Sequence, residues 1–267
     1  MPPAIAIRPR SVSELVDAAF QVLRAGYAQY VMLMGIAYVP WLVLVMVSSR
    51  SLFDGTATGL GSITRTLFLS LGGLIWFSII DGAMTIAASE GYLGRRVDVA
   101  AAFGRAFAHL GALVGVAVMR GVLIFVGFIL LFVPGLYFLA RYAVAPATVV
   151  LEKVGIFGAL GRASTLSDGF KWHVLKTLLL VWVIYMVLSF ALAATAGVLV
   201  SAGGLGAAGT ARYLSVMQIV SAIFTILVYP LVSIVQTLLY YDLRIRKEAY
   251  DIELMANGLG ASAAQPA

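Results

Sequence analysis

The sequence contains no cysteine and only two histidines among its 267 residues. Without cysteine the chain has no disulfide framework, no thiol nucleophile, no iron–sulfur cluster and no cysteine zinc site. Two histidines are too few for most metal centres, so we expect no metal and no other cofactor. Charged side chains are also scarce, at 11% of the chain, against about 25% in soluble domains.

Apolar residues take the place of the missing charges. Hydrophobic side chains make up 62% of the chain and its mean hydropathy is +1.01, whereas soluble domains are about 45–50% apolar. A chain of this size cannot bury so much apolar surface within itself, so lipid must cover part of it. The composition predicts an integral membrane protein and excludes a soluble enzyme. The meaning of the net charge of +6 depends on which side of the membrane the basic residues occupy, and no nucleic-acid partner is expected.

Six apolar segments are long enough, or nearly so, to cross a hydrocarbon core of about 30 Å, which takes roughly 20 residues. They cover approximately 30–48, 66–88, 110–133, 136–151, 174–200 and 214–241. The third and fourth form one run broken by Pro134-Gly135. We interpret this break as a tight hairpin, because proline removes a helical hydrogen bond and glycine permits a reversal. A kink there would instead leave five spans and move the C-terminus to the other side.

The distribution of lysine and arginine distinguishes these two topologies. Six spans place 13 of the 18 basic residues on one side of the membrane and three on the other. The first side receives Arg8, Arg10, Arg24, Arg95, Arg96, Arg105, Lys153, Arg162, Lys171, Lys176, Arg244, Arg246 and Lys247; the second receives Arg50, Arg65 and Arg212. The positive-inside rule therefore predicts six spans with both termini in the cytoplasm. Residues 1–28 lack the apolar core of a cleavable leader, so we expect the first span itself to direct insertion.

Three segments on the predicted cytoplasmic side show the apolar spacing of an amphipathic helix, and each precedes a pair of spans. The stripes are Val12, Leu15, Val16, Ala19, Phe20 and Leu23; Val99, Phe103, Ala106, Phe107 and Leu110; and Ile156, Ala159, Leu160 and Ala163. Ser11 and Glu14 have the spacing of a capping box, and Asp98 is a predicted N-cap. We expect three helices lying at the inner leaflet, which could provide a docking surface for a protein partner.

The predicted fold is therefore an all-α polytopic bundle of six transmembrane helices with three interfacial amphipathic helices. One interpretation is a threefold helix-plus-hairpin repeat; the other is that short helices between spans become amphipathic without duplication. The predicted organisation is an N-terminal amphipathic helix in 1–28, a membrane domain in 29–241, a charged cytoplasmic helix in 242–255 and a disordered tail in 256–267. The charged helix is predicted to continue the last span, because three pairs of opposite charge stand at i,i+4 spacing: Asp242–Arg246, Arg244–Glu248 and Lys247–Asp251.

Three charged residues lie within the predicted spans, namely Asp81, Arg120 and Arg141. Counted from the cytoplasmic ends of their spans, all three reach a similar depth near mid-bilayer. A lone charge there is costly, so such residues usually face the bundle interior and pair. We expect Asp81 to pair with Arg120 or Arg141, leaving one arginine to bind carbonyls, water or an anionic ligand. The alternative is a buried pair that only fixes helix packing.

Five arginines on the cytoplasmic side are candidates for contact with lipid headgroups. They are Arg24, Arg95, Arg96, Arg105 and Arg162. Basic residues beside an anionic leaflet attract its headgroups, so membrane lipid is the predicted partner. The alternative is that these arginines only set the topology.

Other motifs have simpler explanations. Gly204-Leu205-Gly206-Ala207-Ala208-Gly209 matches a dinucleotide-binding pattern but joins two spans and lacks the following acidic residue, so it is interpreted as a flexible linker. His109 and His173 lie at the starts of spans and are interpreted as interfacial anchors. Gly111 and Gly115 have the spacing of close helix packing, which we assign to contacts within the chain.

Several pieces of the sequence resemble one known family. They are the ending Tyr240-Tyr241-Asp242-Leu243-Arg244-Ile245-Arg246-Lys247-Glu248, the Pro134-Gly135 turn, Arg141-Tyr142-Ala143-Val144-Ala145-Pro146 and Arg162-Ala163-Ser164. Over roughly residues 11–255 the chain resembles the membrane domain attached to some glycerophosphoryl diester phosphodiesterases and its stand-alone bacterial relatives. The resemblance implies a bacterial cytoplasmic membrane. In the fused relatives the hydrolase is a separate soluble barrel. These 267 residues contain neither that barrel nor its metal-binding motif, so phosphodiesterase activity is not expected.

Three classes of function are compatible with these observations. The first is a non-catalytic membrane scaffold that interacts with lipid or recruits a partner. The second is a small transporter or lipid-handling protein with an anionic-ligand site, which the proline-bearing spans favour because discontinuous helices often mark transport sites. The third is an intramembrane enzyme, which the sequence supports poorly because no nucleophile–base pair or metal cluster stands at helical spacing. We expect the first.

Overall fold

A computed structural model describes residues 8–53, 59–201 and 207–249. Within these ranges the chain forms helices joined by short turns, with no strand. The helices are α1 (Val12–Ala25), α2 (Tyr27–Phe53), α3 (Gly59–Tyr92), α4 (Val99–Ala108), α5 (Leu110–Leu130), α6 (Phe132–Arg141), α7 (Ala145–Glu152), α8 (Ile156–Ser167), α9 (Lys171–Ser201) and α10 (Ala207–Glu248). Gly204–Gly206 of the predicted linker, the proposed Lys247–Asp251 pair and the tail in 256–267 lie outside the described residues.

Six helical segments of the described chain are long and apolar enough to cross a membrane. They are Tyr27–Ser48, Gly59–Tyr92, Leu110–Leu130, Phe132–Glu152, Lys171–Thr195 and Val216–Glu248. Large apolar side chains cover their outer surfaces, with Leu60, for example, 80% exposed. Such a surface is stable only in contact with lipid. The prediction of an all-α membrane bundle with six spanning helices is confirmed.

The buried core lies at one end of the bundle. It contains α1, α7 and α8, the last four turns of α3 and the second half of α10. We call this the basic end, because most of the arginines predicted to be cytoplasmic are found there. The first half of α3 and most of α9 carry mainly half-buried or exposed side chains. Helices are therefore packed tightly at the basic end and exposed to lipid beyond it.

Contacts between distant segments show that the predicted cytoplasmic segments share this end. The backbone N–H of Arg10 donates to Asp242, and the hydroxyls of Ser89 and Tyr241 lie 2.6 Å apart. Tyr240 donates to Glu152, which ends α7. Each pair joins segments separated by an even number of predicted spans, as the six-span topology requires.

The start of α1 has the predicted capping box. The Glu14 backbone N–H donates to the Ser11 hydroxyl over 3.3 Å, and the Ser11 backbone N–H donates to the Glu14 carboxylate over 2.8 Å. These bonds, together with Arg8, lower the pKa of Glu14 to about 2. The buried face of α1 differs from the predicted stripe, because Ala18 and Val22 are buried, Val12 is half-buried and Phe20 is 37% exposed.

The chain reverses between α5 and α6, so the predicted hairpin is correct but its turn is placed three residues too late. Leu131 has extended backbone angles of φ −168° and ψ 153°, whereas Pro134 lies in the first turn of α6. Proline is tolerated there because the first backbone N–H groups of a helix have no partner within it. A Cβ on Gly127 would lie 2.9 Å from the backbone nitrogen of Gly135, so the two helices meet without room for a side chain.

The fourth span is not the continuous helix that the sequence predicts. α6 ends at Arg141, three residues form a turn, and α7 begins at Ala145 with Pro146 in its first turn. Proline cannot donate to the carbonyl four residues earlier, here that of Tyr142, and its ring would clash with that group. Ending α6 before Pro146 avoids both costs, although α2 and α10 continue through Pro40 and Pro230. The second of the three helix-plus-hairpin units consequently differs from the other two, although α1, α4 and α8 each precede a hairpin in the predicted order.

Candidate functional site

A buried carboxylate organises the basic end. Asp242 is 2% exposed. Its Oδ1 accepts a 2.7 Å hydrogen bond from the Arg10 backbone N–H, and its Oδ2 accepts one of 2.7 Å from Arg246 Nε. Arg246 Nη2 in turn donates to the Arg10 carbonyl over 2.6 Å. The three residues form a closed ring that joins the segment before α1 to the end of α10, and the predicted Asp242–Arg246 pair is confirmed.

His173 contacts the same carboxylate. Its Nε2 lies 3.1 Å from Asp242 Oδ2, but it is buried and has no partner in hydrogen-bond geometry. The contact is therefore an ion pair when the imidazole is protonated, rather than a fixed hydrogen bond. His173 was interpreted only as an interfacial anchor, and its contact with Asp242 was not predicted because the two residues are distant along the chain. The described residues contain no cluster of three or more ligand side chains that could hold a metal.

A second carboxylate network lies beside the first. Arg162 donates from Nε to Glu152 Oε2 over 2.7 Å and from Nη2 to Glu248 Oε2 over 2.7 Å, while its Nη1 also contacts Glu248. Tyr240 donates to the other oxygen of Glu152 over 2.8 Å. The hydrogen bonds to Glu248 and then to Glu152 raise the pKa of Arg162 above its ordinary value. Arg162 therefore joins α7, α8 and α10, and its contact with headgroups stays a prediction.

The other candidate headgroup arginines fall into two groups. Arg105 is ion-paired with Glu90. Arg24, Arg95 and Arg96 are exposed, and their side chains make no hydrogen bond or ion pair within the described part of the chain. The basic end thus retains three guanidinium groups that no other group in the described ranges neutralises.

Asp81 on α3 meets α10 and α5. The Tyr229 hydroxyl donates a 2.7 Å hydrogen bond to Asp81 Oδ1. Arg120 lies within electrostatic range of Asp81, but among the described residues it makes no hydrogen bond and no ion pair within 4 Å. Sequence reasoning did not identify Tyr229. Its position four residues from both Thr225 and Ser233 was the available signal, since that spacing places all three on one helix face.

Arg141 has different partners. Its Nε donates to Ser164 over 2.8 Å and its Nη1 to Tyr137 over 2.7 Å. The ammonium of Lys171 lies 5.2 Å from the centre of the same Tyr137 ring. Arg141 therefore belongs to the junction of α6, α8 and α9, and the described chain shows no hydrogen bond or ion pair between it and Asp81. Asp81 was expected to pair with Arg120 or Arg141, and Arg120 is the one of the two that lies within electrostatic range of it.

Asp81 lies beside a close contact of α3 with two other helices. The exposed large apolar residues of α3 lie between Leu60 and Phe77, before Asp81 in the chain. A Cβ on the adjacent Gly82 would lie 2.6 Å from Leu113 of α5 and 3.3 Å from the Cβ of Ala106 of α4. The depth of Asp81 near mid-bilayer stays a prediction.

Comparisons with family models, with curated proteins and with solved structures found no match to this chain.

Proposed function

We propose that this chain is a non-catalytic scaffold of the bacterial cytoplasmic membrane, with both termini in the cytoplasm. Its basic end forms a platform at the inner leaflet that contacts anionic lipid and presents a surface to a protein partner. The orientation is supported by the excess of basic residues on the segments that meet at this end. We also propose that the chain is related to the membrane domain of glycerophosphoryl diester phosphodiesterases.

The proposal rests mainly on the contacts that the distinctive ending Tyr240–Glu248 makes with other helices. Tyr240 donates to Glu152, Tyr241 contacts Ser89, and Asp242 accepts from Arg10. Arg244 and Glu248 form the i,i+4 ion pair expected from the sequence, at 3.2 Å. Polar side chains that could carry chemistry are instead engaged in joining helices, which supports a platform rather than an active site.

The lipid part of the proposal is tested by measuring the lipid that copurifies with the protein. A variant with Arg24, Arg95 and Arg96 changed to glutamine should retain less anionic phospholipid than the unmodified chain. The variant Arg65→Gln removes a basic residue from the opposite end of the bundle and should leave retention unchanged. An unaltered lipid composition in the triple variant would show that these arginines do not hold headgroups.

The orientation has a separate test. Reporter fusions after Arg65, Arg105, Arg212 and Ala267 should report the outside, inside, outside and inside of the membrane, respectively. A C-terminal fusion that reports the outside would overturn both the orientation and the platform at the inner leaflet.

A second candidate function is a small transporter or lipid-handling protein. One observation favours it: Arg120 has no hydrogen-bonding partner among the described residues, although it lies close to the Asp81–Tyr229 pair. The broken α6–α7 segment adds support, since discontinuous helices often line transport sites. Vesicles containing the purified protein should release phosphate and exchange labelled phospholipid no faster than empty vesicles if the scaffold proposal is correct. Saturable transport that Arg120→Gln abolishes would favour the transporter instead.

A further inference from the structure

A groove lies at the basic end where the start of α2 faces the connection between α3 and α4. One wall contains Gln29, Met32 and Ile36, and the other contains Arg96 and Phe103. Its volume is about 1000 Å³, at the upper end of the about 300–1,000 Å³ typical of ligand sites. The groove is open to the surroundings, so a ligand can enter without rearrangement of the helices.

The apolar wall of the groove continues along α2. Met32 is 51% exposed and Ile36 is 56% exposed. Val39 and Val43 follow at helical spacing and are also exposed, so the four side chains form one stripe. From Met32 to Val43 this stripe rises about 17 Å at 1.5 Å per residue. That length is close to half of the about 30 Å hydrocarbon core, which is the depth covered by an acyl chain of one leaflet.

The polar end of the groove carries unpaired positive charge. Arg96 lines the groove, and Arg95 is the residue before it in the sequence. Neither arginine side chain has a protein partner in the described chain. One carboxylate, Asp98, also lines the groove. Its Oδ1 accepts a 3.0 Å hydrogen bond from the Ala101 backbone N–H at the start of α4. This end of the groove therefore has two arginines but only one carboxylate, and that carboxylate already accepts a hydrogen bond at the start of a helix.

We propose that this groove binds one anionic phospholipid of the inner leaflet. The phosphate contacts Arg96, whose planar guanidinium matches a phosphate in geometry and charge. One acyl chain lies along Met32, Ile36 and Val39. This proposal rests on the proposed function, because the basic end must face the inner leaflet for the headgroup to reach Arg96.

A phospholipid fits both ends of the site, whereas other anions fit only one. Free phosphate could contact Arg96 but would leave Met32 and Ile36 unused. A soluble peptide would have to displace lipid from the continuous apolar stripe on α2. The juxtaposition of an unpaired guanidinium with an apolar stripe as long as one leaflet therefore defines the ligand class.

The test is native mass spectrometry of the full chain in detergent, titrated with phosphatidylglycerol or with phosphatidylcholine. The unmodified chain should bind one phosphatidylglycerol more tightly than phosphatidylcholine. Arg96→Gln should weaken phosphatidylglycerol binding by about tenfold or more, as expected for loss of a charged hydrogen bond. Arg65→Gln is the control, because it also removes one arginine, but at the opposite end of the bundle and away from the groove.

A second variant tests the groove without changing its charge. Ala100 lines the groove and is exposed, so Ala100→Trp should fill the space while leaving the core intact. We expect it to reduce the binding of both lipids. Wild-type phosphatidylglycerol affinity in both Arg96→Gln and Ala100→Trp would overturn the groove assignment.

Two further outcomes separate this inference from the proposed function. If the unmodified chain shows no preference for phosphatidylglycerol, the proposed contact with anionic lipid fails together with the groove. If the preference persists but only the triple variant of Arg24, Arg95 and Arg96 removes it, the platform stands and the single groove site is wrong. Competition by inorganic phosphate equal to that by phosphatidylglycerol would identify a phosphate site and overturn the assignment to lipid.

Discussion

The backbone N–H of Arg10 donates a 2.7 Å hydrogen bond to the carboxylate of Asp242, 232 residues further along the chain. The same carboxylate binds Arg246, whose guanidinium returns to the Arg10 carbonyl. The N-terminal segment is thereby fixed to the end of the last helix. The buried Asp242 side chain therefore holds the N-terminal segment and the last helix together in the platform that we propose as the functional surface.

We expect Asp242→Ala to destabilise the protein strongly. Breaking a buried ion pair by removing one partner costs about 3–5 kcal/mol, because the remaining charge stays uncompensated. The lower value applies here, since the Arg246 side chain is 22% exposed and water can solvate it in part. Thermal unfolding followed by tryptophan fluorescence measures the change.

The matched control for this variant is Asp168→Asn. Asp168 is ion-paired with Lys171, but its side chain is 68% exposed, and such surface pairs contribute little. We expect its unfolding temperature to equal that of the unmodified chain. Equal unfolding temperatures for the Asp242 and Asp168 variants would contradict the role assigned to Asp242.

A second prediction concerns the α5–α6 hairpin. Gly127→Val places a side chain against the backbone of Gly135, where a Cβ has only 2.9 Å. Overpacking of this kind costs about 1–3 kcal/mol. Gly121→Val on the same helix is the control, because nothing lies within 4 Å of a Cβ at that position. If both valine variants unfold at the same temperature, the two helices do not meet at Gly127.

The pairing of Asp81 can be measured with a double-mutant cycle. Asp81→Asn and Arg120→Gln, made singly and together, should show a coupling energy of at least about 0.5 kcal/mol, since interacting residues are not additive. Asp81→Asn combined with Arg141→Gln should be additive, because Arg141 is bonded to Ser164 and Tyr137 instead. Coupling to Arg141 but not to Arg120 would reverse this assignment.

Glu14 gives a prediction for pH dependence. Its pKa is lowered from 4.5 to about 2 by the hydrogen bonds to Ser11 and by Arg8. Because the pKa of the folded state is the lower one, Glu14 contributes stability above pH 4.5, and this contribution is lost as the pH falls toward 2. Glu14→Gln should therefore unfold at a lower temperature than the unmodified chain at pH 6, and the difference should shrink below pH 4.5. A difference that is constant with pH would exclude the ionised carboxylate as its source.

Some local features of the chain followed directly from its sequence. The capping box at Ser11 and Glu14, the cap at Asp98 and the ion pairs Asp242–Arg246 and Arg244–Glu248 each depend on residues three or four positions apart. At such spacings helix geometry alone decides which groups meet. The six apolar segments were predictable for a related reason, because the thickness of a bilayer sets the length of a helix that crosses it.

Other contacts could not be predicted because they depend on the arrangement of helices relative to one another. Arg162 binds Glu152 and Glu248, of which the second is 86 residues away, and its contact with headgroups stays a prediction. Asp81 was expected to pair with Arg120 or Arg141, and Arg141 instead binds Ser164 and Tyr137. The depth of Arg141 was counted back from the end of the fourth span along one continuous helix, so the break between α6 and α7 removes the basis of that count.

The sequence by itself determined that the chain is a helical membrane protein, how many helices can cross, and which segments share one side. The length of an apolar segment and the distribution of arginine are properties of the sequence itself, so they can be evaluated without knowing how the helices pack. Only the tertiary structure decided that Tyr229 meets Asp81, that Asp242 meets Arg10, and that Arg96 lines a groove beside α2. Each of these depends on how helices that are distant in sequence pack together, and single-helix periodicity carries no information about that packing.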